Sequence, residues 1–154
     1  MTLAVVRVRG TININTDIKD ALRMMHLTRA NHCTIIPEDP QWRGTLLKVK
    51  DYVTWGRVDE KTMLEILEKR GRIEGGKPLT AAYLAEKTPF KSLPELATAL
   101  AAQKADLRRL PGVKPLFRLA PPRKGYEKVT HDYKTGGTLG DRGEKINELI
   151  RRML

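Results

Sequence analysis

The chain has 154 residues, of which 40% are hydrophobic, 31% are charged and 5% are aromatic, so we expect one domain with a modest core. No apolar run reaches 18 residues, and charged residues follow closely on the first short apolar run, so we expect neither a membrane span nor a signal peptide. The single Cys33 excludes an internal disulfide and fits a reducing, cytoplasmic location.

The charge is strongly basic and unevenly distributed. There are 29 Lys and Arg against 18 Asp and Glu, a net charge of +11. Residues 107–154 alone carry 12 Lys and Arg against five Asp and Glu, a net charge of +7. This balance narrows the partners to nucleic acids, anionic membrane surfaces or acidic proteins. A membrane surface is the weaker option, because the C-terminal helix described below has a narrow apolar stripe with acids mixed into it.

The first 58 residues predict the order β-α-β-α-β. Aliphatic and β-branched runs indicate strands, and apolar residues at helical spacing behind a capping residue indicate helices. In chain order these are a strand over Leu3–Val8, a helix capped by Thr16 or Asp17, a strand over Cys33–Ile36, a helix beginning at Asp39-Pro40 and a strand over Val53–Val58. The segment Leu47–Lys50 would also fit a strand, but the Asp-Pro start favours a helix.

Residues 59–154 predict a C-terminal extension that is mostly helical. A basic segment rich in proline and glycine, 108–137, which we call the strap, is expected to be irregular or extended. Four helices are predicted in this part of the chain. The first begins at Asp59 and ends at a left-handed Gly71, the second spans Thr80–Lys87, and the third runs from a capping box at Ser92–Glu95 to Leu107. The fourth follows a second capping box at Asp141–Glu144 and has an apolar stripe over Ile146–Met153.

A glycine- and lysine-containing loop resembles a phosphate-binding loop only superficially. Gly71–Lys77 has the required spacing, but Pro78 stands where a magnesium-binding Ser or Thr belongs, and the loop follows a helix instead of a strand. A small α+β enzyme that uses this loop is therefore an alternative without support, and a helix end followed by a turn explains the pattern.

Metal binding and catalysis have no positive support in the sequence. His26, His32 and Cys33 match no standard ligand spacing, and only His131 remains as a further histidine. No Ser/His/Asp or Cys/His arrangement has a local signature. We therefore expect no enzyme activity, no cofactor and no small-molecule substrate.

The cations predict contact with RNA phosphates. Gly44 would allow close backbone approach to a phosphate, with close helix packing as the alternative, and Tyr52 and Trp55 fit the core better than base stacking. The residues predicted to bind RNA are Arg7, Arg9, Arg43, Gly44, Lys48, Lys50, Arg108, Arg109, Arg118, Arg123, Lys124, Lys128, His131, Lys134 and Arg142.

The basic last third divides into two parts. Residues 108–134 are poor in apolar side chains, so we expect them to lie along RNA and to become ordered only in a particle. The helix within 141–154 is amphipathic, so its apolar stripe is expected to dock on the protein and to leave Arg151 and Arg152 outward.

The pattern as a whole resembles the archaeal and eukaryotic form of large-subunit ribosomal protein thirty. The resemblance covers nearly the whole chain and is most specific near its end. The matching segments are Val5–Gly10, Pro37–Pro40, Arg43–Val49, Thr54–Gly56, Thr130-His131, Gly136-Gly137, Gly140–Arg142, Ile146-Asn147 and Leu149–Met153.

The resemblance implies an α+β fold, in which residues 1–58 form a core with an antiparallel sheet related to ferredoxin-like folds and residues 59–154 form the extension. It also implies a structural subunit of the large ribosomal particle that binds 23S and 5S ribosomal RNA and neighbouring ribosomal proteins, without catalytic residues. The chain departs from the bacterial pattern at Ala21 and Met25, and it lacks the basic arm with which the eukaryotic form begins. An RNA-binding regulator outside the ribosome is the alternative.

Overall fold

The computed structural model describes residues 2–154 and shows a mixed α+β protein, as the sequence predicts. Six strands and six α-helices follow in the order β1 Thr2–Arg7, α1 Thr16–Met24, β2 His32–Pro37, α2 Pro40–Lys48, β3 Val53–Arg57, α3 Glu60–Arg70, α4 Ala81–Lys87, α5 Leu93–Ala101, β4 Leu116–Arg118, β5 Lys128–Asp132, β6 Gly137–Asp141 and α6 Ile146–Met153. Short 3-10 turns lie at Glu74–Gly76, Leu107–Arg109, Tyr133–Thr135 and Gly143–Lys145.

All six strands form one sheet in the order β4-β2-β1-β3-β6-β5. The strand β1 pairs antiparallel with β2 and β3, so that Val5 lies opposite Thr34 on one side and Trp55 on the other. The strand β4 adds antiparallel to β2, while β6 adds parallel to β3 and β5 parallel to β6. Half of the strands in the sheet therefore come from residues beyond 58.

Both faces of the sheet are covered by apolar layers. Successive side chains of a strand point to opposite faces, and accordingly Val5 joins a cluster with Leu22 of α1 and Leu46 of α2. The next residue, Val6, joins the opposite cluster. This two-sided packing explains why every residue of β1 is buried.

The opposite cluster is built mainly from the extension. Val6 and Ile35 of the first three strands meet Met63 of α3, Leu96 of α5 and Ile150 of α6 there. The division at residue 58 remains a prediction, and the hydrophobic cluster on this face contains residues from both sides of it.

Gly71 ends α3, but it is not left-handed as predicted. Its φ is −59° and its ψ is 130°, which any residue can adopt. A Cβ at this position would lie 2.3 Å from the carbonyl oxygen of Leu67. Glycine is therefore required by the close approach of the chain to the end of the helix.

The helix α5 is shorter than predicted. The capping hydrogen bond at its N-terminus forms as expected, since Ser92 Oγ accepts from the Glu95 amide at 3.4 Å. The helix ends at Ala101, where the chain turns through Gln103, whose φ is +57°. Leu107 is buried in a separate 3-10 turn, so its apparent helical spacing reflects a second contact with the same core.

The start of α6 also differs from its prediction. Asp141 Oδ1 accepts from the Gly143 amide at 2.9 Å and caps a local turn, so no capping box forms with Glu144. The buried Asn147 holds this end of the helix instead. Its Oδ1 accepts from the Asp59 amide at 2.9 Å, and its Nδ2 donates to the carbonyl of Arg57 at 3.0 Å.

The strap is more ordered than the sequence indicates. It contributes the strands β4 and β5, and its side chains Val113, Phe117 and Leu119 are buried in the cluster formed by the extension. The low apolar content of the segment did not reveal these contacts, because Val113, Phe117 and Leu119 meet a core supplied largely by other parts of the chain. The first half of the strap is thus part of the folded protein.

Candidate nucleic-acid interface

The structure separates the fifteen predicted RNA-binding residues by exposure. Arg7 and Arg142 are buried, and Arg108 is half-buried. The others are exposed to solvent: Arg9, Arg43, Gly44, Lys48, Lys50, Arg109, Arg118, Arg123, Lys124, Lys128, His131 and Lys134.

Arg7 serves the interior of the protein. Only 2% of the residue is exposed, and its guanidinium donates to the carbonyl oxygens of Arg9 at 2.9 Å, Leu27 at 2.7 Å and Gly10 at 2.9 Å. Burial lowers the pKa of Arg7. Because three backbone carbonyls occupy its donors, we leave Arg7 out of the proposed interface.

Arg142 is the centre of a polar cluster between the strap, β3 and β6. Its Nη2 donates to Glu127 Oε2 at 3.0 Å and its Nε to Thr54 Oγ1 at 3.1 Å, while its guanidinium lies 4.7 Å from the ring centroid of Tyr133. The hydroxyl of Thr138 donates to the same Glu127 oxygen at 3.2 Å. These partners account for a buried guanidinium, so Arg142 is also left out of the proposed interface.

Glu127 links this cluster to α6. Arg152 Nη1 lies 3.4 Å from Glu127 Oε1, and Arg152 also donates to the carbonyls of Arg123 at 3.0 Å and Gly125 at 2.5 Å. Arg152 is therefore bonded to the strap instead of pointing freely outward. Arg151 is exposed as expected, with its Nε 3.6 Å from Glu65 Oε1.

Glu127 makes stability depend on pH. Burial raises the pKa of this carboxyl, but the hydrogen bond and charge of Arg142 outweigh burial and lower the pKa to about 2. A carboxyl with a lowered folded-state pKa stabilises fully above its unfolded pKa, and that stability is lost as the pH falls. We expect the difference in melting temperature between the wild type and Glu127→Gln to shrink between about pH 4.5 and 2. Thermal unfolding across this range tests it, and a constant difference would contradict it.

Arg108 stacks on an aromatic ring. Its guanidinium carbon lies 4.4 Å from the ring centroid of Trp42, and burial lowers the pKa of this arginine. Within residues 2–154, its Nε and Nη2 are buried without a hydrogen-bond partner. The stack ties the start of the strap to α2 through a cation–π contact.

The surface of α2 around Arg43 is partly neutralised. Arg43 Nη2 lies 2.5 Å from Glu38 Oε1, and this bond, with Arg57 at 3.7 Å, lowers the pKa of Glu38. Gly44 faces open space, since an added Cβ would meet nothing within 4 Å. Helix packing therefore does not require glycine here, which leaves its backbone accessible.

Two predicted cations from distant parts of the sequence come together beside the sheet. Lys50 and Lys134 line a shallow depression of about 180 Å³ with Trp55 and Tyr133, although Asp132 and Asp141 also line it. Tyr52 and Trp55 are both partly buried against the α1–α2 cluster, as the sequence indicates.

A groove that the sequence does not predict carries more concentrated charge. It has a volume of about 340 Å³ and is lined by Arg70, Arg72, Gly76, Lys114, Leu116 and Arg118. Of these, only Arg118 is among the predicted residues. No local signal could reveal this site, because its cations come from two segments that lie far apart in the sequence, 70–72 and 114–118, and each cation alone resembles an ordinary solvated charge.

The described residues show no group that suits metal chemistry. Among residues 2–154, no three His, Cys, Asp or Glu side chains are grouped to hold a metal ion. Cys33 is fully buried, and burial raises the pKa of its thiol to about 12, so it is a poor nucleophile. Over the same range, none of the helices is long and apolar enough to cross a membrane.

The fold and the basic surface define a small α+β protein suited to a polyanion, and comparison with known proteins identifies its family. Residues 3–53 match the family model of ribosomal protein L30p/L7e. The chain is 44% identical over 150 residues to the large ribosomal subunit protein uL30 of Methanocella arvoryzae, covering 97% of this chain and 98% of that protein.

Two other archaeal relatives extend the similarity over the same length. The large ribosomal subunit protein uL30 of Methanopyrus kandleri is 45% identical, with 95% of this chain and 99% of that protein covered. The large ribosomal subunit protein uL30 of Nanoarchaeum equitans is 48% identical, with 98% of this chain and 97% of that protein covered. The chain belongs to the ribosomal protein L30p/L7e family, whose members are structural components of the ribosome and not enzymes.

Proposed function

We propose that the chain is a structural protein of the large ribosomal subunit in the cytoplasm, where it binds 23S and 5S ribosomal RNA and supports subunit assembly and translation. The observation that carries this proposal is the near full-length similarity to archaeal large-subunit proteins. The net charge of +11 supports it, because cations that neutralise phosphates release counterions and so favour binding.

The proposed interface consists of the exposed cations. They lie just after β1 at Arg9, on α2 and just beyond it at Lys50, and in the strap with its strands β4 and β5, whereas Arg7 and Arg142 hold the fold together. Cationic side chains that are carried by folded helices and strands need no ordering of the backbone when they contact a phosphate, and this favours affinity. We also infer that residues 1–58 form a core related to ferredoxin-like folds and that residues 59–154 are the extension, with neighbouring ribosomal proteins as further partners.

Binding to ribosomal RNA should depend steeply on salt. If about 6–10 phosphates are contacted, affinity should fall by about 10³–10⁵-fold between 50 and 200 mM salt. Filter binding of the purified chain to 23S and 5S transcripts, titrated with KCl, measures the slope. A flat response would contradict the electrostatic basis of the proposal.

Co-sedimentation with large subunits, together with binding to unrelated duplexes, distinguishes the alternative of an RNA-binding regulator outside the ribosome. A regulator would prefer some other RNA to ribosomal RNA and would be absent from large subunits sedimented at high Mg²⁺. A ribosomal protein should co-sediment with the subunit. Absence from that fraction, together with equal affinity for unrelated duplexes, would reject the ribosomal proposal.

A further inference from the structure

The groove between the end of α3 and the edge strand β4 has an unusual charge balance. Four cations line it, namely Arg70, Arg72, Lys114 and Arg118, and no acidic residue does. Within the described part of the chain, none of the four forms an ion pair with a carboxylate side chain. Of the four side chains, that of Arg70 forms a hydrogen bond, since its Nη2 donates to the main-chain oxygen of Leu154 at 3.1 Å.

The backbone holds two of these cations side by side. The Lys114 amide donates to the Arg72 carbonyl at 2.9 Å, and the adjacent residues Ile73 and Val113 form a β-bridge. Val113 is 7% exposed and belongs to the core cluster, against which Ile73 also packs. The segments that carry Arg72 and Lys114 are therefore fixed relative to each other before any ligand binds.

Arg118 lines the same groove from the edge strand of the sheet. It lies on β4 opposite His32 of β2, and Lys114 precedes that strand by two residues. Like charges gathered in one place repel each other, and surfaces that lack a ligand usually mix both signs. A polyanion relieves this repulsion, and guanidinium groups match phosphate oxygens in geometry.

We propose that this groove binds the phosphate backbone of ribosomal RNA and that Arg72, Lys114 and Arg118 contact successive phosphates. The proposal rests on the proposed function and adds a site formed largely by residues that the sequence pattern does not single out. An extended sugar-phosphate chain suits the groove because it carries several negative charges, which can meet several cations of the groove at once.

The test compares two double variants of equal charge in the full chain. Arg72→Gln with Lys114→Gln removes two groove cations, while Lys19→Gln with Lys61→Gln removes two exposed lysines from α1 and the start of α3. Filter binding to 23S and 5S transcripts is measured from 50 to 400 mM KCl. The substitutions leave the backbone hydrogen bonds intact, so both variants should have the melting temperature of the wild type.

Loss of two phosphate contacts should make the salt slope about 1.5 shallower, so that, with equal affinities extrapolated to 1 M, the groove variant should bind about 30-fold more weakly than the wild type at 100 mM. The control should keep the wild-type slope.

If the affinity of the wild type falls steeply with salt and the groove variant matches the control, the groove inference fails while the proposed function stands. If the wild type itself does not bind, the proposed function fails. A variant that binds RNA normally but does not enter large subunits would assign the groove to an acidic protein partner and overturn the RNA assignment.

Discussion

Replacing Phe117 with alanine should lower the free energy of unfolding of the isolated protein by about 3–5 kcal/mol. This side chain lies on β4, within the strap, and is only 1% exposed in the cluster formed by the extension. Removing it deletes a large apolar contact and leaves a cavity that its neighbours cannot fill fully. Urea denaturation followed by circular dichroism, without RNA, measures the change.

Val129→Ala is the matched control on the other strand of the strap. Val129 lies on β5 and is 43% exposed, so its truncation should change the free energy of unfolding by no more than about 0.5 kcal/mol. If Phe117→Ala were equally mild, the strap would be undocked in the free protein. The sequence-based expectation that it becomes ordered only in the particle would then be restored.

Arg142→Ala should have the second large effect, a loss of about 3 kcal/mol in the free energy of unfolding. The substitution takes a buried guanidinium away from Glu127 and Thr54, whose oxygens it meets at 3.0 and 3.1 Å. The effect should fall at the lower end of the range for broken buried pairs, because Glu127 remains 43% exposed and water can solvate it.

Arg151→Ala provides the comparison for Arg142. Its pair with Glu65 is 3.6 Å long and solvent-exposed, so we expect a loss of at most about 1 kcal/mol. RNA binding measured on the same proteins separates the two roles considered for Arg142. If the Arg142→Ala variant has wild-type stability but weaker RNA binding, Arg142 belongs to the RNA interface. Reduced stability with an unchanged salt slope supports its structural role.

The elements of the first 57 residues follow the predicted order because their signals are local. Asp39-Pro40 begins α2 as expected, and the strand alternative for Leu47–Lys50 is wrong, since Leu47 and Lys48 lie in the helix. Helix ends were predicted less well. Leu107 is placed by its contact with the core cluster, and Asp141 ends β6 opposite Trp55 of β3, which a local pattern does not contain. Gly71 is required by the close approach of Leu67 and Leu79.

The candidate site was predictable as a property of composition but not residue by residue. A net charge of +11 identifies a polyanion partner whatever the fold. Whether one arginine meets solvent depends on the elements that pack around it. Arg7 was predicted to bind RNA, yet three backbone carbonyls accept from it, while Arg72 was not singled out and lines a groove.

The sequence by itself determined the class of fold, the excess of positive charge, the helical and extended segments and, through the resemblance, the family. These depend on periodicity, capping and composition, which act over a few residues or over the whole chain. Only the tertiary structure decided that Phe117 is core, that Arg142 is internal and that Arg72, Lys114 and Arg118 form one surface. The physical reason is that burial and charge density are set by contacts between segments far apart in the chain.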